Sequence, residues 1–178
     1  MGRLNDISLV TQVAVFHNRR AFDQLVREYQ SPIRRFFMGQ TLGDGALSDD
    51  LAQETFIKAY THITQYRGTA KFLTWLMRIA CHVWYDYLRS RKKTVELDGT
   101  AVQMRTSSSV SLLKDDIYQA FALLKEEERT CISLQMIEGY AIDEIADMMS
   151  MPLGTVKSHL KRGKEKMANY LRSNGYDR

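Results

Sequence analysis

Proline is almost absent, with only Pro32 and Pro152 in 178 residues. With so few helix breakers, and little of the two-residue alternation that marks a half-buried strand, an all-α fold is expected. Cysteine is as scarce. Cys81 and Cys131 lie far apart, each inside an apolar helical pattern, which suits buried free thiols in a reducing compartment better than a disulfide framework or a zinc site. Long apolar runs are missing as well. Met1-Gly2-Arg3-Leu4-Asn5-Asp6 leads into no signal-peptide core, and no stretch is apolar enough for a membrane span. A cytoplasmic protein without membrane insertion is therefore expected. There is no P-loop, HExxH pair or paired-cysteine site, and the four histidines do not cluster. No catalytic centre, metal or cofactor is indicated, and there is no internal repeat.

What remains is ordinary globular composition, 44% hydrophobic and 26% charged, in a length that can bury one core or two small ones. The formal charge of +4 and pI near 9.1 permit a polyanionic partner without demanding one. The distribution of charge says more. Residues 1–93 carry fourteen Lys/Arg against eight Asp/Glu, residues 111–147 three against nine, and residues 148–178 seven against two. A polyanion would be met by particular faces rather than by the whole surface.

The last basic stretch belongs to the most informative pattern, Gly139 to Lys166. Glu138-Gly139-Tyr140 ends one helix, and Asp143 and Glu144 suit the positive first turn of the next. Ile142, Ile145, Ala146 and Met149 give that helix one apolar face. Ser150-Met151-Pro152-Leu153-Gly154-Thr155 breaks the period, since Pro152 has no amide hydrogen to continue the helix. Beyond it Val156, Leu160, Met167 and Leu171 form a new stripe, with Thr155, Lys157, Ser158, Lys161, Arg162 and Lys164 on the other faces. A short helix, a brief turn and a basic second helix follow helix-turn-helix logic. A helical hairpin with merely solvated lysines has the same local pattern, and charge segregation favours the DNA reading.

Upstream, Asp6 is placed to cap a first helix carrying Leu9, Val10, Val13 and Phe16, and Ala21 to Tyr29 forms a second with Phe22, Leu25, Val26 and Tyr29 inward. Ser31-Pro32 has the form of a third helix start, with Arg34 and Arg35 in solvent. Gly43-Asp44-Gly45 marks a loop, and Ser48 is placed to cap a fourth helix to about Thr64, packed through Leu51, Ala52, Phe56, Ala59 and Ile63. Its acidic cluster, Asp49, Asp50, Gln53 and Glu54 beside Lys58, reads either as dipole complementation or as a docking surface, and residue physics favours the first. Tyr66-Arg67-Gly68-Thr69-Ala70 forms a loop before a long helix from about Lys71 to Arg91. Its inward residues are Phe72, Leu76, Ile79, Ala80, Val83 and Tyr87. The opposite stripe, Lys71, Thr74, Arg78, His82, Tyr85, Arg89 and Lys92, contains no glutamate. Such a stripe can hold phosphates and stack bases, or can be a solvated face. Residues 94–110 lose periodicity and gather Gly, Ser and Thr, so a flexible linker is expected between domains at 1–93 and 111–178. Leu112 to Leu124 and Glu126 to Ile137 supply two further helices, with Ile117, Phe121, Leu124, Ile132, Leu134 and Ile137 apolar.

Taken in order, these segments resemble the extracytoplasmic-function sigma factors of bacteria, the RpoE-like group of the RNA polymerase sigma factor family. Ala21-Phe22 with Leu25 and Tyr29 is similar to the opening segment, and Ser48-Asp-Asp-Leu-Ala-Gln-Glu-Thr-Phe-Ile-Lys-Ala-Tyr60 to the polymerase-binding helix. Phe72-Leu-Thr-Trp-Leu-Met-Arg-Ile-Ala80 and Asp86-Tyr-Leu-Arg89 resemble the promoter-melting segment. Glu128-Arg129, Glu138-Gly139-Tyr140, Glu144-Ile145-Ala146 and Gly154-Thr-Val-Lys-Ser158 resemble the second domain. Each motif is weak alone, but their order and separation are specific. The resemblance implies that Asp50, Gln53 and Glu54, with Lys58, dock on core RNA polymerase. It implies that the loop from Tyr66 to Lys71, with Arg67, captures a flipped base of the minus-ten element, and that Arg78, His82, Tyr85, Arg89 and Lys92 handle the melting strand. The helix from Gly154, with Thr155, Lys157, Ser158, Lys161 and Arg162, would enter the major groove at the minus-thirty-five element. An anti-sigma factor is an admissible further partner, and the free chain is expected to be a monomer.

The chain departs from the family pattern at His82, where asparagine is frequent, at His159, where arginine is usual, and at Lys125, where proline is common. A stand-alone helix-turn-helix regulator accounts for the C-terminal half but leaves residues 48–93 unexplained, and a nucleic-acid enzyme lacks a recognisable site. Replacing Lys157 and Lys161 by alanine should weaken duplex binding and flatten its salt dependence, measured by fluorescence anisotropy across a salt series. An unaltered slope would place the DNA face elsewhere.

Overall fold

The computed structural model describes residues 3–98 and 112–176. Among the described residues there are eight α-helices and no strand: α1 (Arg3–Phe16), α2 (Arg19–Gln40), α3 (Gly45–Thr61), α4 (Phe72–Asp98), α5 (Leu112–Ala122), α6 (Glu126–Ile132), α7 (Ile142–Met149) and α8 (Leu153–Ser173). A 3-10 turn at Ile63–Gln65 follows α3, and a π-helical segment at Ser133–Ile137 extends α6. The all-α expectation holds. Helix α4 continues through residues 94–98, part of the expected linker. The rest of that stretch lies outside the described residues. The chain divides into two compact units, Met1–Arg35 with Asp49–Gly99, and Phe36–Ser48 with Thr100–Arg178.

In the first unit, α1 buries Leu9, Val10 and Val13 as its period requires, but Phe16 is 73% exposed at the helix end. Asp6 does not cap α1. It lies inside the helix, buried, and its Oδ1 accepts the Tyr29 hydroxyl at 2.8 Å. Nor does Pro32 start a new helix. It sits within α2, whose stripe of Leu25, Tyr29 and Ile33 is buried on both sides of it. An interior proline, which removes a hydrogen bond and crowds the preceding turn, costs about 3 kcal/mol, and burying the large apolar side chains that flank it offsets that loss at about 1.5–3 kcal/mol each. Helix α4 is buried on more than the expected stripe, because Met77, Cys81 and Trp84 are inside along with Phe72, Leu76, Ala80 and Val83.

In the second unit, α3 begins at Gly45, ahead of the expected Ser48, because Asp44 is its cap: the Leu47 amide donates to Asp44 Oδ1 at 3.0 Å. Ser48 is buried and donates to the Asp44 carbonyl at 2.6 Å. Phe121, Leu124, Ile132 and Leu134 form the core with Ile145, Met148, Val156 and Leu160, whereas Ile117 and Ile137 are exposed. Arg129, expected only as a motif residue, is buried and donates to three carbonyls, Phe121 at 3.0 Å, Gln40 at 2.9 Å and Leu124 at 3.1 Å. Burial, with Glu127 and Glu128 nearby, pushes the Cys131 thiol up to about 12. Both cysteines are buried and neither is in a disulfide, so a low-reactivity thiol fits position 131.

Helix α8 crosses α6 at Gly163. A Cβ there would stand 2.9 Å from Ile132 Cγ1 and 3.3 Å from its Cδ1. Gly163→Ala should therefore lower the thermal midpoint although alanine normally gains about 1 kcal/mol over glycine in a helix, because overpacking costs about 1–3 kcal/mol. In an Ile132→Ala background the same change should stabilise. Circular dichroism melts of the four-member cycle measure both signs, and equal effects in the two backgrounds would refute the close approach.

Candidate nucleic-acid interface

On α3, Asp50, Gln53 and Glu54 are exposed one turn apart, as expected for one stripe. Lys58 is partly covered: its Nζ lies 3.2 Å from Glu54 Oε1 and 3.1 Å from Asp86 Oδ2 on α4. Burial pulls this ammonium down, but the hydrogen bonds it donates to Asp86 and Glu54, with their negative charge, outweigh it and hold Lys58 above its ordinary value. Arg34 is also tied down, its Nε 2.6 Å from Asp49 Oδ1. Ile57 continues the stripe of Asp50, Gln53 and Glu54 and is 58% exposed. The sequence reading missed this apolar residue, although its spacing from Asp50 put it there.

The loop before α4 is built from aromatic contacts. Tyr66 meets Phe72 with ring centres 5.3 Å apart and Trp75 at 5.6 Å, and Phe72 meets Tyr29 at 5.5 Å. The Tyr66 hydroxyl donates to the Ala70 carbonyl at 2.8 Å, closing the loop. Gly68 has φ +70°, which supplies the expected bend, and Ile7 of α1 lies 3.5 Å from where its Cβ would be. Arg67 and Lys71 are exposed on the loop, and Arg78, His82, Arg89 and Lys92 are exposed along α4, with Tyr85 half-buried among them. Arg89 lies 3.7 Å from Asp86. Asp86 thus faces both a cation of the α3 cluster and one of the α4 stripe.

The C-terminal unit has the expected helix-turn-helix. Tyr140 donates to the Leu134 carbonyl at 3.0 Å around Gly139 at φ +77°, closing the helix that precedes it. Glu144 Oε2 accepts the Ala141 amide at 3.0 Å and caps α7. Ser150, left-handed at φ 53°, ends α7, and Met151 donates to the Ala146 carbonyl at 3.0 Å. The turn is shorter than the sequence pattern implies, since α8 starts at Leu153 directly after Pro152. Val156 and Leu160 are buried, while Gly154, Thr155, Lys157, Ser158 and Lys161 face solvent. Arg162 is half-exposed and engaged: its Nε is 3.3 Å from Glu128 Oε1, and its Nη2 is 3.1 Å from His159 Nδ1. Glu128 also takes Lys166 Nζ at 2.7 Å and the Lys125 amide at 3.2 Å. Burial pushes the Glu128 carboxyl up, but the Lys166 and Lys125 hydrogen bonds and the two cations outweigh it and hold it below its usual range. Lys125 therefore closes a capping interaction where the common family residue is proline. Among the described residues no His, Cys, Asp and Glu cluster is placed to hold a metal ion, and no helix is long and apolar enough to cross a membrane.

Helical units ending in a basic helix-turn-helix define a DNA-binding class of protein. Residues 25–94 match the family model for Sigma-70 region 2, and residues 114–167 match Sigma-70 region 4. The chain is 34% identical over 164 residues to the RNA polymerase sigma-H factor of Pseudomonas aeruginosa, covering 83% of this chain and 84% of that protein. It is 32% identical over 168 residues to the ECF RNA polymerase sigma factor SigW of Bacillus subtilis, covering 85% and 89%. With the ECF RNA polymerase sigma-E factor of Escherichia coli it shares 30% identity over 183 residues, covering 94% of each. The fold is similar to that of the sigma factor RpoE, solved in complex with the anti-sigma factor NepR from Bartonella quintana, with a TM-score of 0.72 and 23% identity over 85% of this chain and 96% of that one. The chain belongs to the sigma-70 family of RNA polymerase sigma factors, in its extracytoplasmic-function group.

A carboxylate held low in the folded state contributes stability at neutral pH that is lost as pH falls through its folded pKa. The wild-type midpoint should therefore drop on acidification below about pH 4.5, the ordinary carboxylate value, by more than that of Glu128→Gln. Parallel melting curves for the two proteins would refute the cation-stabilised carboxylate.

Proposed function

We propose that this sigma factor divides its work between a polymerase-binding and promoter-melting domain at 1–93 and a minus-thirty-five-reading domain at 111–178. It acts in the cytoplasm with core RNA polymerase and promoter DNA, without catalytic groups or a cofactor of its own. Asp50, Gln53 and Glu54 form the docking surface for core polymerase, with Ile57 at its edge and Lys58 held against Glu54 and Asp86. Exposed acids with one apolar neighbour suit a basic partner surface that carries an apolar spot. The loop from Tyr66 to Lys71, with Arg67, takes a flipped minus-ten base, and Arg78, His82, Tyr85, Arg89 and Lys92 track the separated strand. Thr155, Lys157, Ser158 and Lys161 enter the major groove, with Arg162 at the edge of that face.

The observation that carries this reading is the α4 face, where exposed cations, an imidazole and a half-buried tyrosine run on from an aromatic-braced loop. Cations alone would serve a duplex reader as well, but cations beside a half-buried tyrosine and a braced loop suit a protein that holds unpaired bases. An anti-sigma factor, of the kind bound to RpoE in the Bartonella structure, is proposed as a partner of the free chain, which is a monomer.

Run-off transcription with core polymerase on a library of upstream fragments tests the assignment, and start sites that need the added chain are expected. Gln53→Lys with Glu54→Lys should reduce core binding by at least tenfold, about 1.4 kcal/mol, with an unchanged far-ultraviolet spectrum. Unchanged affinity would remove the docking assignment, and tight promoter binding without core would favour a stand-alone regulator.

A further inference from the structure

Helix α8 carries six cations, Lys157, Lys161, Arg162, Lys164, Lys166 and Arg172. They are not equivalent. At 100° per residue, Arg162 and Lys166 fall on one flank of the buried face formed by Val156, Leu160 and Gly163, and Lys157, Lys161 and Lys164 fall on the other. The first flank meets Glu128 of α6, which is 1% exposed and takes Lys166 at 2.7 Å and Arg162 at 3.3 Å. The second flank has no carboxylate partner among the described residues. A buried carboxylate is an expensive way to join two helices, since an apolar pair would pack as well without desolvating a charge. Its distinctive effect is to choose which cations stay free.

We infer that Glu128 is a positioning residue that sorts the cations of α8: by holding Arg162 and Lys166 against α6 it fixes the roll of the helix and leaves Lys157, Lys161 and Lys164 to meet duplex phosphates. This rests on the DNA-reading role proposed for α8. Cations free on both flanks would let the helix bind phosphates in more than one roll, raising affinity for any sequence while blurring the register in which Thr155 and Ser158 meet bases. Glu128 thereby converts charge that would serve non-specific attraction into orientation. Arg162 belongs to this supporting set rather than to the phosphate-contacting one.

The test uses the full chain loaded on core polymerase. Affinity is measured over a salt series for a promoter fragment selected by run-off transcription and for a random duplex of the same length. Glu128→Gln should steepen the slope of log affinity against log salt by about one to two, as one or two cations are released to phosphates. It should also bind the random duplex more tightly without a matching gain on the promoter. Lys166→Ala, which leaves the buried carboxylate with Arg162, should keep the wild-type slope, whereas Lys161→Ala should flatten it. A folded Glu128→Gln protein with the wild-type slope and selectivity would overturn the assignment, and so would Lys166→Ala flattening the slope as much as Lys161→Ala. Wild-type protein that fails to distinguish promoter from random duplex would instead remove the DNA-reading role itself.

Discussion

A helix ends with carbonyls that none of its own amides can reach, and a buried end must find donors elsewhere. In the C-terminal unit that requirement converges on Arg129. Its guanidinium serves the carbonyls of Phe121 in the last turn of α5, of Leu124 just past that helix and of Gln40 at the end of α2. A planar guanidinium with its donors in a fixed fork satisfies three acceptors from one buried position. Gln40, fixed in turn by Thr130 and Ser133, shows that the polar groups around Arg129 are closed into a network rather than scattered. The adjacent Glu128 faces α8. Two consecutive charged residues therefore hold two sides of α6, and the recognition helix inherits its placement from both.

The N-terminal unit solves a related problem by packing. The loop proposed to hold a base is open to solvent and still needs a fixed shape, because flexible loops lose entropy on binding. Here Tyr66, Phe72, Trp75 and Tyr29 form a rigid aromatic base under residues 66–71. Tyr29 is held from beneath by the buried Asp6, and burial together with that hydrogen bond pushes the phenol well above its usual range. The neighbouring α4 stripe stands on a helix whose other sides are in the core, so its cations are displayed from a fixed support.

Much of this was legible in the sequence because apolar period and turn chemistry agreed. Ile145, Ala146 and Met149, then Val156 and Leu160, gave two helices and the turn between them, with charge segregation favouring a helix-turn-helix over a plain hairpin, and Gly68 and Gly139 marked real bends. Local rules misled where tertiary burial overrode them. Pro32 looked like a helix start, yet the stripe around it held α2 together. Asp6 and Ser48 looked like caps and are buried partners instead. Phe16, Ile117 and Ile137 satisfied the period but lie on the rim. Charged residues were the least readable. Nothing local distinguishes the buried Glu128 and Arg129 from the half-buried Glu126 and Glu127 beside them, because burial of a charge is decided by partners remote in sequence, Lys166 and Gln40.

The π-helical segment at Ser133–Ile137 bears on how this domain can change in length. Glu138 donates to the Ser133 carbonyl, five residues back, at 3.1 Å, so the backbone holds one residue more per turn there than an α-helix would. Such single-turn bulges are rare inside α-helices and frequently lie at functional sites. Removing one residue would restore α-helical spacing and rotate everything that follows by about 100°. The Glu138-Gly139-Tyr140 ending would then leave the chain heading for α7 in a different direction. A one-residue insertion or deletion between Ile132 and Gly139 would therefore re-aim α7 and α8 together, a far larger change than a substitution at exposed Met136 or Ile137.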